Sequence, residues 1–193
     1  MAIDTVFTIG HSTHTLQEFV QLLRRHGAQN VADVRSIPKS RHVPQFNSDV
    51  LAASLRLEGL GYIHLAALGG RRHGRRTSEN TGWRNASFRG YADYMATTQF
   101  ADGLADLMSL AQSQVTAVMC AEAVPWRCHR SLIADALLVK GWKVYDIMSV
   151  APATPHKPTP FLKVVDEKLT YPATENPDTP LLFESSDATE ERG

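Results

Sequence analysis

Between Val115 and Lys140 the chain reads VTAVMCAEAVPWRCHRSLIADALLVK. Cys120, Glu122, Arg127, Cys128, His129 and Arg130 crowd into its middle. Three kinds of chemistry draw on such a set. Guanidiniums and backbone N–H groups at the start of a helix recognise phosphate or carboxylate. In an enzyme of that kind Glu122 or His129 would act as general base, and the arginines would stabilise developing negative charge. A thiol beside Arg or protonated His ionises readily, which would make Cys120 a nucleophile. Two thiols and an imidazole also suit a soft metal, through Cys120, Cys128, His129 and His11, although cysteines eight apart are not the close pair that zinc sites usually use. Anion recognition needs the least unusual chemistry and is preferred. A plain core thiol is the competing account of Cys120.

These groups need a frame. Val115 to Met119 is a continuous apolar run, the pattern of a strand buried on both faces. Leu132, Ile133, Ala136, Leu137 and Val139 recur at helical spacing after it. In an open α/β sheet, the loop after a strand's carboxyl end is where ligands bind. Thr5 to Ile9 reads as a first strand running into Gly10-His11-Ser12. Thr15 and Glu18 have the spacing of a capping box, and Gly27 closes that helix. Val31 to Arg35 reads as a second strand; its Asp33 either pairs with Arg35 or leaves Arg35 to face the crevice beside His11 and Cys120. Asn47 precedes a helix lined by Val50, Leu51, Leu55 and Leu57 and stopped by Gly59. Tyr62 to Leu65 and Val144 to Met148 complete the strands. Tyr91 to Ser113 is helical in pattern, with a break or bend expected at Gly103.

The alternation predicts an α/β fold over residues 1–150. It would be a Rossmann-like three-layer sandwich, with about five mostly parallel strands flanked by helices and joined by right-handed crossovers. If the first and fourth strands are neighbours, Gly10-His11-Ser12 and Cys120-Ala121-Glu122 share a topological switch point. The ligand-binding candidates are then His11, Ser12, Asp33, Arg35, Arg127, Cys128 and Arg130.

Charge adds a second candidate surface. Between Arg71 and Arg89 there are six arginines, His73, Trp83 and Phe88 against one carboxylate, Glu79. Arginine interleaved with aromatics suits phosphate contact and stacking, so Arg71, Arg72, Arg75 and Arg76 are expected on nucleic acid, or as a lid over the crevice. A solvated loop would share that composition. Residues 1–150 carry 16 Lys+Arg against 12 Asp+Glu, and residues 151–193 carry 4 against 8, so a mildly basic body precedes an acidic tail. Prolines at 152, 155, 158, 160, 172, 177 and 180 make 151–193 an extended Pro-rich tail, partly disordered or docked through Val164-Val165 and Leu181-Leu182-Phe183. Two cysteines and no apolar leader point to a reduced, cytoplasmic protein without a membrane partner.

Three ordered motifs, Thr8-Ile9-Gly10-His11-Ser12, Asp33 through Ser40 (DVRSIPKS) and Cys120-Ala121-Glu122 with Cys128-His129-Arg130, resemble the DUF488 family (domain of unknown function 488). Leu68-Gly69-Gly70 is similar to that family's pattern after the third strand. The resemblance covers about residues 5–150 and implies a Rossmann-like domain of prokaryotes. It marks His11, Ser12, Asp33, Arg35, Cys120, Glu122, Cys128, His129 and Arg130 as signature positions and assigns them no chemistry. Cys120 followed by Arg127 also superficially resembles the phosphate loops of cysteine phosphatases and rhodaneses. Six residues intervene here rather than five, and the loop lacks their glycines. No Gly-x-Gly-x-x-Gly follows the first strand and no Walker A sequence occurs, which disfavours a classical NAD or ATP enzyme and leaves the cofactor unknown.

Overall fold

A computed structural model describes residues 4–173. Its strands are β1 (Thr5–Gly10), β2 (Asn30–Asp33), β3 (Gly61–His64), β4 (Thr116–Cys120), β5 (Lys143–Ile147), β6 (Thr154–Pro155), β7 (Lys163–Val165) and β8 (Lys168–Thr170). The helices are α1 (Leu16–Arg25), α2 (Ser48–Leu57), α3 (Ala86–Tyr94), α4 (Thr98–Ser113) and α5 (Arg130–Val139). The main sheet runs β3-β2-β4-β1-β5-β6, parallel except for β6. A separate hairpin pairs β7 with β8. This is the expected α/β sandwich.

Strand pleat sorts the core into two layers. Ala117 and Met119 of β4 join Ile9 and Val31 against Phe19, Leu22 and Leu23 of α1 and Leu51 and Leu55 of α2. Val118 and Cys120 join Val6 and Ala32 against Leu104 and Leu107 of α4 and Leu132, Ile133 and Leu137 of α5. The same pleat sends Cys120 toward α5 and Asp33 toward the other layer.

Local signals explain most of the boundaries. Thr15 accepts from the Glu18 N–H at 3.2 Å while Glu18 Oε2 accepts from the Thr15 N–H at 2.7 Å, a reciprocal cap. Three details differ from expectation. The helical stretch before β4 breaks between Tyr94 and Thr98, where the Thr97 hydroxyl accepts from the Phe100 N–H at 3.3 Å and starts α4. Gly103 lies inside α4 instead, because it packs against the turn at 66–68; a Cβ there would lie 2.8 Å from the Ala67 Cβ. Leu57 is 89% exposed, since it sits about 200° around the helix from Leu55, and Val50, about 100° from Leu51, is exposed as well. Asn47 precedes α2 as expected, but its side chain accepts from the Ser40 N–H at 2.7 Å rather than capping the helix.

After residue 150 the chain continues along the body. β6 pairs antiparallel with β5, and Tyr171 is fully buried in the α4–α5 layer. His156 sits between two aspartates, with its Nδ1 2.9 Å from Asp146 Oδ2 and its Nε2 3.5 Å from Asp135 Oδ1. Thr8 and Tyr171 hydroxyls donate to the same carboxylates, at 2.6 and 3.1 Å. Burial alone would push the His156 imidazole down, but its ion pair with Asp135 and its hydrogen bond to Asp146 outweigh that and raise it to about 9. Val164 and Val165 lie in β7 and are exposed. Leu181-Leu182-Phe183 lies outside the described residues.

Candidate functional site

β1 and β4 are neighbours, in register from Val6 with Thr116 to Gly10 with Cys120. The chain after β1 leaves toward β2, and the chain after β4 leaves toward β5 on the opposite side, so the switch point lies between these two strands. Beyond their ends the two loops stay zipped. The His11 N–H donates to the Cys120 carbonyl at 2.9 Å, and the Ser12 N–H to the Ala121 carbonyl at 2.8 Å. Gly10 is required by that proximity, because a Cβ there would lie 1.8 Å from the Glu122 carbonyl oxygen. Ser12 holds φ at 45°, a left-handed value that costs a non-glycine residue of order 1 kcal/mol or more.

Arg130 builds this corner. It is fully buried at the start of α5; Nη1 donates to the Glu122 carbonyl and Nη2 to the Ala123 carbonyl, the latter at 2.9 Å. Arg35 is similarly occupied. Its Nε lies 2.9 Å from Asp33 Oδ1, its Nη2 lies 2.6 Å from Asp33 Oδ2 and donates to the Phe46 carbonyl at 2.8 Å, and its Nη1 reaches His11 Nε2 at 3.2 Å. The Tyr62 hydroxyl adds a bond to Asp33 at 2.8 Å. Asp33 and Arg35 therefore form the buried pair, and both imidazole nitrogens of His11 are spent, Nδ1 on the Ser12 carbonyl at 3.0 Å and Nε2 on Arg35. Burial chiefly, with Arg35 adding to it, holds His11 below its ordinary value, so it is neutral and accepts from the guanidinium.

Across the sheet from that network lie Cys120, Cys128 and His129. His129 Nε2 is 2.9 Å from the Val34 carbonyl, which fixes Nε2 as the protonated nitrogen and leaves the Nδ1 lone pair toward the sulfurs. Cys120 Sγ is 3.9 Å and Cys128 Sγ 3.7 Å from Nδ1. Both thiols are buried. The Cys128 S–H, with the Ala121 N–H, pulls Cys120 well below the ordinary thiol range, while burial and the neighbouring Cys120 sulfur push Cys128 up. The imidazole packs beside the Tyr91 ring, with centroids 4.9 Å apart. Gly70 covers it: a Cβ there would lie 2.3 Å from Nδ1.

Gly70 also opens the arginine-rich segment. The Arg71 N–H donates to the Ser36 hydroxyl at 2.8 Å, pinning the start of the segment beside the centre. Asp93, which nothing in the sequence pattern singled out, knots its middle. That carboxylate accepts from the Arg75 N–H at 2.8 Å, the Ser78 hydroxyl at 2.5 Å and Asn80 Nδ2 at 2.8 Å. Those bonds hold Asp93 below the usual carboxylate range against the upward pull of its burial. Arg72 lies over the Tyr94 ring, 3.8 Å from its centroid, and donates to the Ala67 carbonyl. Arg89 donates to the Trp83 carbonyl at 2.8 Å. Arg71, Arg75, Arg76 and Arg84 are exposed, as are Arg127 and Glu122 in the β4–α5 loop. Trp126 in that loop is 50% exposed. A hollow of about 280 Å³ lined by Phe7, Arg25, His26, Tyr145, Pro152 and Ala153 contains none of these groups.

A parallel α/β sandwich with a thiol–imidazole cluster at its switch point is the class that fold and site define. Residues 15–137 match the family model described as Domain of unknown function DUF488, and the chain belongs to that family. Comparison with curated proteins and with solved structures finds no match. β1, the central strand, and everything from β5 onward lie outside the matched residues. Among the described residues no helix is long and apolar enough to cross a membrane.

Proposed function

We propose that the chain binds a small anionic molecule, phosphorylated or nucleotide-like, at the mouth formed by the β4–α5 loop and the segment after Gly70. One observation carries this reading. Because Gly70 lies on the His129 ring, the arginine-rich segment departs from the edge of the Cys120–His129 centre. Arg71 follows that glycine, and Arg127 precedes His129 by two residues. Arg71, Arg76 and Arg127 are exposed, and among the described residues none of them forms a salt bridge; Arg75 is also exposed but has Asp93 beside it. The one acid in this segment, Glu79, is paired with Lys168 at 3.1 Å. Uncompensated guanidiniums around one mouth raise the local concentration of anions and offer forked hydrogen bonds to phosphate. The ligand is held from this rim, since Arg35 and Arg130 are committed to the fold.

The test is calorimetric titration with inorganic phosphate, pyrophosphate and a nucleoside diphosphate. At least one should bind, and an Arg71→Ala/Arg127→Ala variant should weaken it about 100-fold or more, at roughly 1.5–3 kcal/mol for each of two charge-assisted bonds. Unchanged binding in that variant would remove the rim from the argument. A nucleic-acid role is the second reading, favoured by Trp126 standing half exposed among the same arginines. It requires oligonucleotide affinity that falls steeply with salt. Two free buried thiols suit a reducing compartment, and we place the protein in the cytoplasm.

A further inference from the structure

We propose that Cys120, Cys128 and His129 form a three-ligand site for a soft divalent metal, zinc in particular, with the fourth position left to water or an exogenous ligand. The three donor atoms lie within 4.8 Å of one another. With Zn–S of about 2.3 Å and Zn–N of about 2.0–2.1 Å, a tetrahedral ion sets its sulfur–nitrogen edges at roughly 3.6 Å. The edges here are 3.9 and 3.7 Å, and the sulfur–sulfur edge is within 4.8 Å against roughly 3.8 Å for two Zn–S bonds, so an ion fits between the donors after shifts of at most about 1 Å.

The surroundings are those of a ligand set rather than of a chance cluster. Nε2–H is committed to the Val34 carbonyl, the outer bond that orients metal-bound imidazoles and leaves Nδ1 as the donor. Tyr91 flanks the ring, and Gly70 leaves no space for a side chain above Nδ1. Cys120 closes a buried central strand and Cys128 is fixed by the turn before α5, with its N–H donating to the Pro125 carbonyl at 2.9 Å, so both sulfurs start from rigid backbone. Donor type sets the metal: thiolates with imidazole select zinc and its soft neighbours over magnesium or calcium, which take oxygen. His11, the other histidine at the switch point, has both ring nitrogens engaged and cannot be the fourth ligand. Among the described residues no further His, Cys, Asp or Glu joins the cluster. Three protein ligands with one open position is the arrangement of catalytic rather than structural zinc.

The test uses the metal alone, so it is independent of anion binding. Reduced, chelator-stripped full-length protein is titrated with Co²⁺ as a spectroscopic stand-in. The expected result is one equivalent bound, with thiolate-to-cobalt charge transfer and the intense visible bands of tetrahedral cobalt, both abolished by one equivalent of zinc. Cys120→Ser and Cys128→Ser should each lose about half of the charge-transfer intensity, and Gly70→Ala should weaken binding about 10- to 100-fold by displacing the imidazole. Should the cysteine variants misfold, alkylation of the reduced wild type decides: one equivalent of zinc should protect both thiols. A protein with two free thiols that shows no sulfur-to-cobalt band, or thiols alkylated equally fast with and without zinc, would overturn the proposal.

Discussion

The His156 cluster ties the end of the described chain to the middle of the sheet, and its strength can be worked out. Moving an imidazole from its ordinary 6.5 to about 9 corresponds to about 3 kcal/mol, at about 1.36 kcal/mol per pH unit. The side chain is almost fully buried, so little of this is lost to solvent screening. The folded state holds the proton more tightly than the unfolded state. The contribution is therefore complete below about pH 6.5 and disappears as pH rises through about 9. Urea unfolding of the wild type and of His156→Gln at pH 6 and pH 9.5 isolates it. Thiol titration in that window is common to both proteins and cancels in the difference. The wild type should lose roughly 3 kcal/mol more than the variant between the two pH values. At pH 6 the variant should be less stable by about 3–5 kcal/mol, because Asp135 and Asp146 are left buried without their cation. Parallel pH dependences in the two proteins would refute the reasoning, since the pair would then supply no pH-linked stability.

Three further outcomes are expected. Gly10→Ala should destabilise by about 2 kcal/mol or more on thermal melting, because the new methyl meets a main-chain carbonyl that Arg130 already holds. Asp33→Ala should cost about 3–5 kcal/mol in denaturant unfolding by stranding Arg35, and should cost clearly less in an Arg35→Met background. Thr15→Ala removes the cap of α1 and should cost about 1 kcal/mol, a drop of roughly 2–4 °C in melting temperature.

The frame was legible because it is written locally. The apolar run before Cys120, the Thr15–Glu18 box and the positive-φ glycines at 27 and 59 each follow from short-range rules. The choice between a buried Asp33–Arg35 pair and an arginine facing the crevice was also visible in the sequence, and hydrogen bonding decides it for the pair. What the sequence hid is tertiary. Arg130 reads as an anion ligand by position, yet two main-chain carbonyls claim it. Cysteines eight apart give little sign that a strand end and a helix entrance converge on one imidazole. Gly70 reads as ordinary loop glycine until its contact with His129 is seen. Asp93 and His156 act through partners 13–18 and 10–21 residues away or through other elements, beyond the reach of any periodicity argument.

The position of β1 also sets an order of events during synthesis. It emerges well before its two partners, which begin only at Thr116 and Lys143. β2 and β3, separated by one helix, can meet long before that. Until β4 is made, the strand destined for the middle of the sheet is therefore an unpaired apolar segment, and the Gly10–Cys120 corner closes only after more than a hundred further residues have been added.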